Sequence, residues 1–288
     1  MGEDPFGKLM GVFIMNNIGI MQGRLTPPRG RNHVQFNPYG QEISEEFEKI
    51  SEIGLDYIEW IIPKATPNLF LDDFYSCEAT QKLIKYFKVP INAVCLDYLM
   101  DMDLSKDENL IFAKKLLTWI ANIAYRVDCG LLVIPIYVKN MDFPTIQALL
   151  SSVIENFHVR IAFEFLDANS FTGINFINDL NYPNGSNYYR IGCCFDIGNN
   201  YNRDVIKEME NYNNYNMLHH IHIKEKDSTG NSVPLGEGVF GGKYWKEIFT
   251  FLKSINYSGD FTLQVARGEE GEEIETIKEQ IEFVRDLL

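Results

Sequence analysis

The chain has 288 residues, 45% of them hydrophobic and 13% aromatic, enough to bury a large core in one or two domains. Its formal net charge of −14 excludes a broadly basic nucleic-acid surface, although not a local basic pocket for a small anion. The five cysteines (Cys77, Cys95, Cys129, Cys193, Cys194) form no C-x-x-C pair, and Cys193 and Cys194 would face opposite sides of a strand. Buried free thiols in a reducing compartment are therefore expected.

Residues 1–17 begin acidic, and their short apolar run is broken by Gly11, unlike a secretory signal. They are expected to form an irregular extension. No apolar run approaches the ~18 residues of a membrane span, so a cytoplasmic protein without membrane contact is expected. From residue 18 onward, short apolar runs alternate with amphipathic segments. The candidate strands are IGIMQGRL (18–25), YIEWII (57–62), INAVCLDY (91–98), LLVIPIY (131–137), RIAFEFL (160–166), RIGCCFDI (190–197), HHIHIK (219–224) and DFTLQVA (260–266).

Between them lie helical stripes. Leu110, Ala113, Leu117, Ile120, Ala124 and Val127 step by three and four, with Ser105 or Asp107 as the starting cap and Gly130 as the stop. Ile274, Ile277, Ile281 and Val284 repeat the pattern near the C-terminus, and segments 143–157 and 243–255 are further helices. Eight strand–helix alternations with nearly continuous apolar strands predict a parallel sheet covered by helices. Closed on itself, this is one (β/α)8 barrel over 18–288, of the usual length of about 250 residues. No G-x-G-x-x-G follows a strand to favour an open doubly wound sheet.

Barrels of this kind carry their chemistry at the C-terminal strand ends. Those ends read Gln22 and Arg24, Glu59, Asp97, Glu164, Asp196, His222 with Lys224, and Gln264 followed by Arg267. Each interrupts an apolar run, and burying it unpaired would cost several kcal/mol. In LHHIHIKEKD (218–227) the alternation of a strand places His220, His222 and Lys224 on one face and turns His219 toward the helices.

The stretches IGIMQGRLTPP, GLDYIEWI, AFEFL, CCFDIGN, HIHIKEKD…SVPLGEG and GDFTLQVARG, in this order, resemble the sugar phosphate isomerase/epimerase family. These are xylose isomerase-like TIM barrels, related more distantly to ketose 3-epimerases and endonuclease IV. The resemblance implies one divalent metal held by an acid on strand 5, an Asp on strand 6, a His on strand 7 and an acid on strand 8. The matching positions are Glu164, Asp196, His222 and Gln264. The last departs from the ketose epimerases, which carry Glu there; an amide oxygen can bind a metal but cannot take a proton. Such a donor set suits Mn²⁺, Co²⁺, Mg²⁺ or Zn²⁺. His220 is expected to be a packed, hydrogen-bonded histidine, and His33 and His158 carry no signal.

The resemblance implies a sugar or sugar phosphate isomerised or epimerised by proton transfer through an enediolate. Glu164 would move the proton, with Lys224 and Glu59 as further catalytic candidates. Gln22, Arg24, Asp97, Lys224 and Arg267 would contact substrate. Because Gln264 is neutral, a second acid would have to come from Glu59 or Asp97. The glycine-rich run 225–242 is the length of a lid or binding loop and lies where barrels often bind phosphate, alongside Lys224 and Arg267. Trp60 could stack on a sugar, but core packing is the commoner fate. Alternative readings are a non-catalytic sugar-binding barrel and, less favoured by five histidines and the acidic charge, a metal phosphodiesterase acting on nucleic acid. A homo-oligomer is left open.

Overall fold

The computed structural model describes residues 16–27, 41–63, 74–100, 102–138, 143–181 and 190–288. His33 and all but the last two residues of the expected N-terminal extension lie outside them. Eight parallel strands close into a barrel: β1 (Ile18–Met21), β2 (Tyr57–Ile61), β3 (Ile91–Cys95), β4 (Leu131–Ile136), β5 (Arg160–Phe165), β6 (Ile191–Asp196), β7 (Leu218–Ile223) and β10 (Phe261–Leu263). β1 pairs with both β2 and β10, which completes the ring. β8 (Glu225–Lys226) and β9 (Ser232–Val233) form an antiparallel hairpin after β7. The helices are α1 (Gln41–Glu52), α2 (Phe74–Phe87), α3 (Asp107–Arg126), α4 (Phe143–Asn156), α5 (Ser170–Asn181), α6 (Val205–Asn214), α7 (Gly241–Ser254) and α8 (Glu273–Leu287). None among the described residues is long and apolar enough to cross a membrane.

Strand alternation divides the core in two. Met21, Ile61, Ala93, Cys95, Leu131, Val133, Ala162 and Cys194 form a small apolar cluster inside the ring. Their strand neighbours join the helix stripes in the larger outer core, which includes Trp60, packed against Phe47 at 6.4 Å. All five cysteines are free and buried, and Cys193 and Cys194 belong to opposite cores.

The α3 stripe buries Ala113, Leu117, Ile120 and Ala124 as expected, but both caps differ. Ser105 turns its hydroxyl to Asp103 at 2.6 Å, which leaves Lys106 at the cap position without a side-chain bond. The reversal at the other end uses Asp128 in the left-handed region (φ 58°) rather than Gly130.

His219 also differs from expectation. The β6–β7 register breaks between Cys193 and Cys194, so that Cys193 pairs with Leu218 and Cys194 with His220. The extra residue in β7 puts the His219 ring where a side chain at Gly192 would stand, on the face that carries Cys194 and Asp196 rather than under the helices. Gly19 makes the same kind of room for the Tyr57 ring.

Two arginines stitch the closing seam. Arg24 Nε donates to the Val265 carbonyl at 3.1 Å. In return Arg267 donates to the carbonyls of Gly23 and, at 3.1 Å, Thr26.

Candidate metal centre

The last turns of β5, β6 and β7 bring Glu164, Asp196 and His222 together, with one ligand atom of each within 4.8 Å of the others. All three are buried. They meet because each occupies an inward position at the C-terminal end of adjacent strands, above the apolar cluster. Glu164 Oε1 accepts from Asn199 Nδ2 at 2.8 Å, and Asp196 Oδ1 accepts from the Asn199 backbone N–H at 2.7 Å. Asn199 thus ties the two like-charged carboxylates side by side. The Lys224 ammonium lies 3.5 Å from Asp196 Oδ2, 3.5 Å from Asn199 Oδ1 and 3.3 Å from Gln264 Oε1. It links the strand 6 acid to the amide that follows β10.

His222 is fully buried, its Nε2 3.0 Å from Glu59 Oε1 and its Nδ1 3.6 Å from Glu164 Oε2. Nδ1 has no hydrogen-bond partner among the described residues. Burial acts to lower the imidazole pKa, but Glu59, Glu164 and Asp196 outweigh it and raise it to about 9. Burial is the main influence on Glu164 and raises its carboxyl to about 7, with His222 opposing and Asp196 reinforcing.

A divalent cation fits this donor set. Two carboxylates and an imidazole nitrogen are ligands for hard to borderline ions. The orphaned Nδ1 faces the carboxylates, and it has no hydrogen-bond partner among the described residues. A second close group, Glu59, His220 and His222, is already filled. His220 Nε2 approaches Glu59 Oε2 at 2.9 Å, Thr262 donates to the same oxygen at 2.6 Å, and His222 holds the other.

The sequence also offers Glu59 as a catalytic candidate. It stands behind His222, fully buried, with both oxygens accepting hydrogen bonds. Burial raises its pKa, but the two imidazoles outweigh burial and hold the carboxyl far below the usual range. Asp97 opens a single 3-10 turn after β3 and is half-buried. Gln22 is buried; its Oε1 accepts from the Ile61 N–H at 3.2 Å, while Nε2 is unpaired among the described residues.

Arg24 and Arg267 meet at the β1–β10 seam, bound to carbonyls, and Arg267 is not drawn into the Lys224 cluster by any hydrogen bond described. Burial and the neighbouring Arg267 lower the Arg24 pKa to about 9. Beneath them the buried Glu46 of α1 accepts from the Gly23 N–H at 2.5 Å. Burial raises its pKa to about 7.

The expected phosphate loop carries a carboxylate of its own. Segment 225–242 is built around Glu225, which is fully buried. Its carboxylate accepts from the N–H groups of Gly236, of Phe240 at 3.0 Å and of Gly241 at 3.0 Å, and from Trp245 Nε1 at 2.8 Å. Three of the loop's N–H groups, those of Gly236, Phe240 and Gly241, are therefore engaged within the chain. Asn199 and Glu225 were not singled out from sequence. Asn199 follows the strand 6 acid in DIGNN, a polar turn that offered a signal; Glu225 sits in an alternating charged run that reads as solvated.

A closed barrel with a buried acid–acid–histidine cluster at its C-terminal mouth is a (β/α)8 barrel whose donor set could hold a metal ion. The profile of the xylose isomerase-like TIM barrel family matches residues 47–287, and the chain belongs to that family. No curated protein sequence matches it significantly. Among solved structures it resembles D-allulose 3-epimerase from Methylomonas sp. in complex with D-allulose, at 14% identity and TM-score 0.68, covering 95% of this chain and 97% of that one. It also resembles 3-keto-D-glucoside 4-epimerase YcjR from E. coli, at 13% identity, TM-score 0.66, and coverage of 94% and 100%. A third is the probable 3-DHS dehydratase AsbF of Bacillus anthracis, at 14%, 0.64, and coverage of 93% and 98%. At these identities the likeness is one of fold.

Proposed function

We propose that this protein is a divalent-metal-dependent sugar isomerase or epimerase that moves a proton through an enediolate. The observation that carries the reading is the unpaired His222 Nδ1 facing Glu164 and Asp196 at the barrel mouth. The sugar epimerases on the same fold support it. Glu164, Asp196 and His222 would hold the ion, with the Gln264 amide oxygen as a fourth donor; Mn²⁺, Co²⁺, Mg²⁺ and Zn²⁺ suit these atoms. Bound there, the ion would polarise adjacent sugar oxygens and acidify the proton beside the carbonyl.

Glu164 takes that proton. Burial raises the carboxyl in the ion-free site, and a bound cation would draw it back down, holding Glu164 ionised and ready to accept the proton. Asn199 steadies its other oxygen. Lys224, beside Gln264 and Asp196, places a cation where negative charge develops on a substrate oxygen. Gln264 cannot exchange a proton, and Glu59 is engaged behind His222, so a single base serves the site. One base suffices for an aldose–ketose isomerisation, in which the proton leaves and returns on one face. Epimerisation would need Asp97 or another acid opposite. The substrate is read as a sugar; with the loop amides filled by Glu225, a phosphate would have to rely on side chains such as Lys224.

The test is turnover of a ketose and aldose panel in D₂O with added Mn²⁺ or Co²⁺. Deuterium should enter beside the carbonyl on one face, and His222→Ala should lose both turnover and bound metal. Absence of exchange across the panel in a metal-loaded protein would leave a binding barrel. Clean inversion at one carbon that survives Asp97→Asn would overturn the single-base scheme.

A further inference from the structure

We infer that Glu59 is a positioning residue that fixes His222 with its proton on Nε2, leaving Nδ1 as the ligating atom. The inference rests on the metal reading above only for its consequence; the proton placement stands on the hydrogen bonds alone. An ionised carboxylate accepts and cannot donate. Glu59 Oε1 lies 3.0 Å from His222 Nε2, and Oε2 lies 2.9 Å from His220 Nε2. Both imidazoles therefore present N–H to it.

A third donor is consistent with that direction. Thr262 Oγ1 donates to Glu59 Oε2 at 2.6 Å, and its oxygen can accept from the Tyr57 hydroxyl at 2.8 Å and from His220 Nε2 at 2.9 Å. The network spans three strands, with Tyr57 and Glu59 on β2, His220 and His222 on β7 and Thr262 on β10. His220, His222 and Glu59 are almost wholly out of solvent, so water cannot rescue a misdirected proton.

A neutral imidazole carries one N–H. With it on Nε2, the lone pair is on Nδ1, the atom with no partner and with Glu164 opposite. The other tautomer would set the Nε2 lone pair against the carboxylate. The same geometry separates the two possible metal groups. An ion between Glu59, His220 and His222 would have to displace both Nε2 protons and the Thr262 bond, whereas one between Glu164, Asp196 and His222 displaces nothing that holds Glu59. A carboxylate that orients a ligating histidine in this way commonly changes metal affinity by 10–100-fold.

The experiment uses full-length protein labelled with ¹⁵N-histidine. In the metal-free state, at whatever pH the spectra themselves show a single ring N–H, long-range ¹H–¹⁵N correlations should show His222 as the Nε2–H tautomer. A wild-type Nδ1–H tautomer would overturn the inference, and this measurement needs no variant to fold and no metal to bind. With ¹¹³Cd²⁺ added, coupling should appear at His222 Nδ1 while Nε2 keeps its proton; coupling at Nε2 would also overturn it.

Failure to bind cadmium would count against the metal reading, leaving the tautomer to decide the inference. Glu59→Leu should mix the tautomers and weaken Cd²⁺ binding roughly 10–100-fold, with Glu59→Asp restoring part of both. His220→Gln should keep binding within about threefold, because His220 shares Glu59 but does not face the ion. Equal losses in His220→Gln and His222→Gln would place the ion in the other group and sink the assignment.

Discussion

Glu225 and Asp196 are both carboxylates removed from solvent, at 0% and 1% exposure, yet their surroundings differ in kind. Glu225 is met by three backbone N–H groups and an indole, all within the loop and helix that it fastens. Asp196 stands beside a second carboxylate, and the histidine next to both has an unpaired nitrogen; the ammonium nearby is at the long end of bonding range. Buried polar groups in native proteins are normally satisfied. A cluster that keeps like charges together with an open nitrogen is arranged for something other than its own chain. The first carboxylate is a fastener and the second part of a receptacle.

The comparison is broken most directly at Glu225. Glu225→Ala would strand four donors, two of them buried, and should cost about 3–4 kcal/mol of stability in urea unfolding. The folded fraction should still bind Mn²⁺ or Co²⁺ as tightly as the parent. Loss of metal with unchanged stability would reverse the two roles.

Asp196→Asn tests the other side. Removing a like charge beside Glu164 should leave metal-free stability unchanged or raise it by up to about 1 kcal/mol. Metal affinity, read by calorimetry, should fall about 100-fold, or ~2.7 kcal/mol. A strongly destabilised variant that still bound metal would make Asp196 a fastener too.

Glu46 sharpens the contrast with an intermediate case, since one of its oxygens is bonded and Oε2 has no partner among the described residues. Its folded pKa, about 7, lies above the unbound value of 4.5. The native state therefore holds a proton that the unfolded chain releases between those values, and stability from this group falls as pH rises from 4.5 through 7. Glu46→Gln should flatten that fall, gaining about 3 kcal/mol relative to the parent between pH 4.5 and 8. Parallel pH profiles for the two proteins would show that the carboxyl titrates normally.

The eight barrel strands were legible because each is an apolar run of strand length set off by a helical stripe. They were read too long at their C-terminal ends: residues 18–25 shrink to Ile18–Met21, and 260–266 to Phe261–Leu263. The cause is that Gln22, Arg24 and Gln264 stay buried at the mouth after the backbone leaves the ladder, so burial patterning outlasts pairing. Glu164, Asp196 and His222 could be picked out because they end consecutive strands. The engagement of Glu59 could not, since its partners are 161 and 163 positions away and meet it only across the closed ring. Arg267 reads like a free cation in sequence, and only closure shows it spent on carbonyls of the first loop.

The reciprocal arginines at the seam bear on how the chain comes to be folded. Their bonds join residues 241 and 244 positions apart, and β1 gains its second neighbour only when β10 is in place. At ribosomal rates of about 5–20 residues per second, β1 emerges roughly 10–50 s before its last partner. During that interval one edge of the nascent sheet is open, and contacts of such long sequence separation form slowly. The seam is thus the natural late step of folding, and its edge strands are the surface that a holding chaperone would have to cover during synthesis.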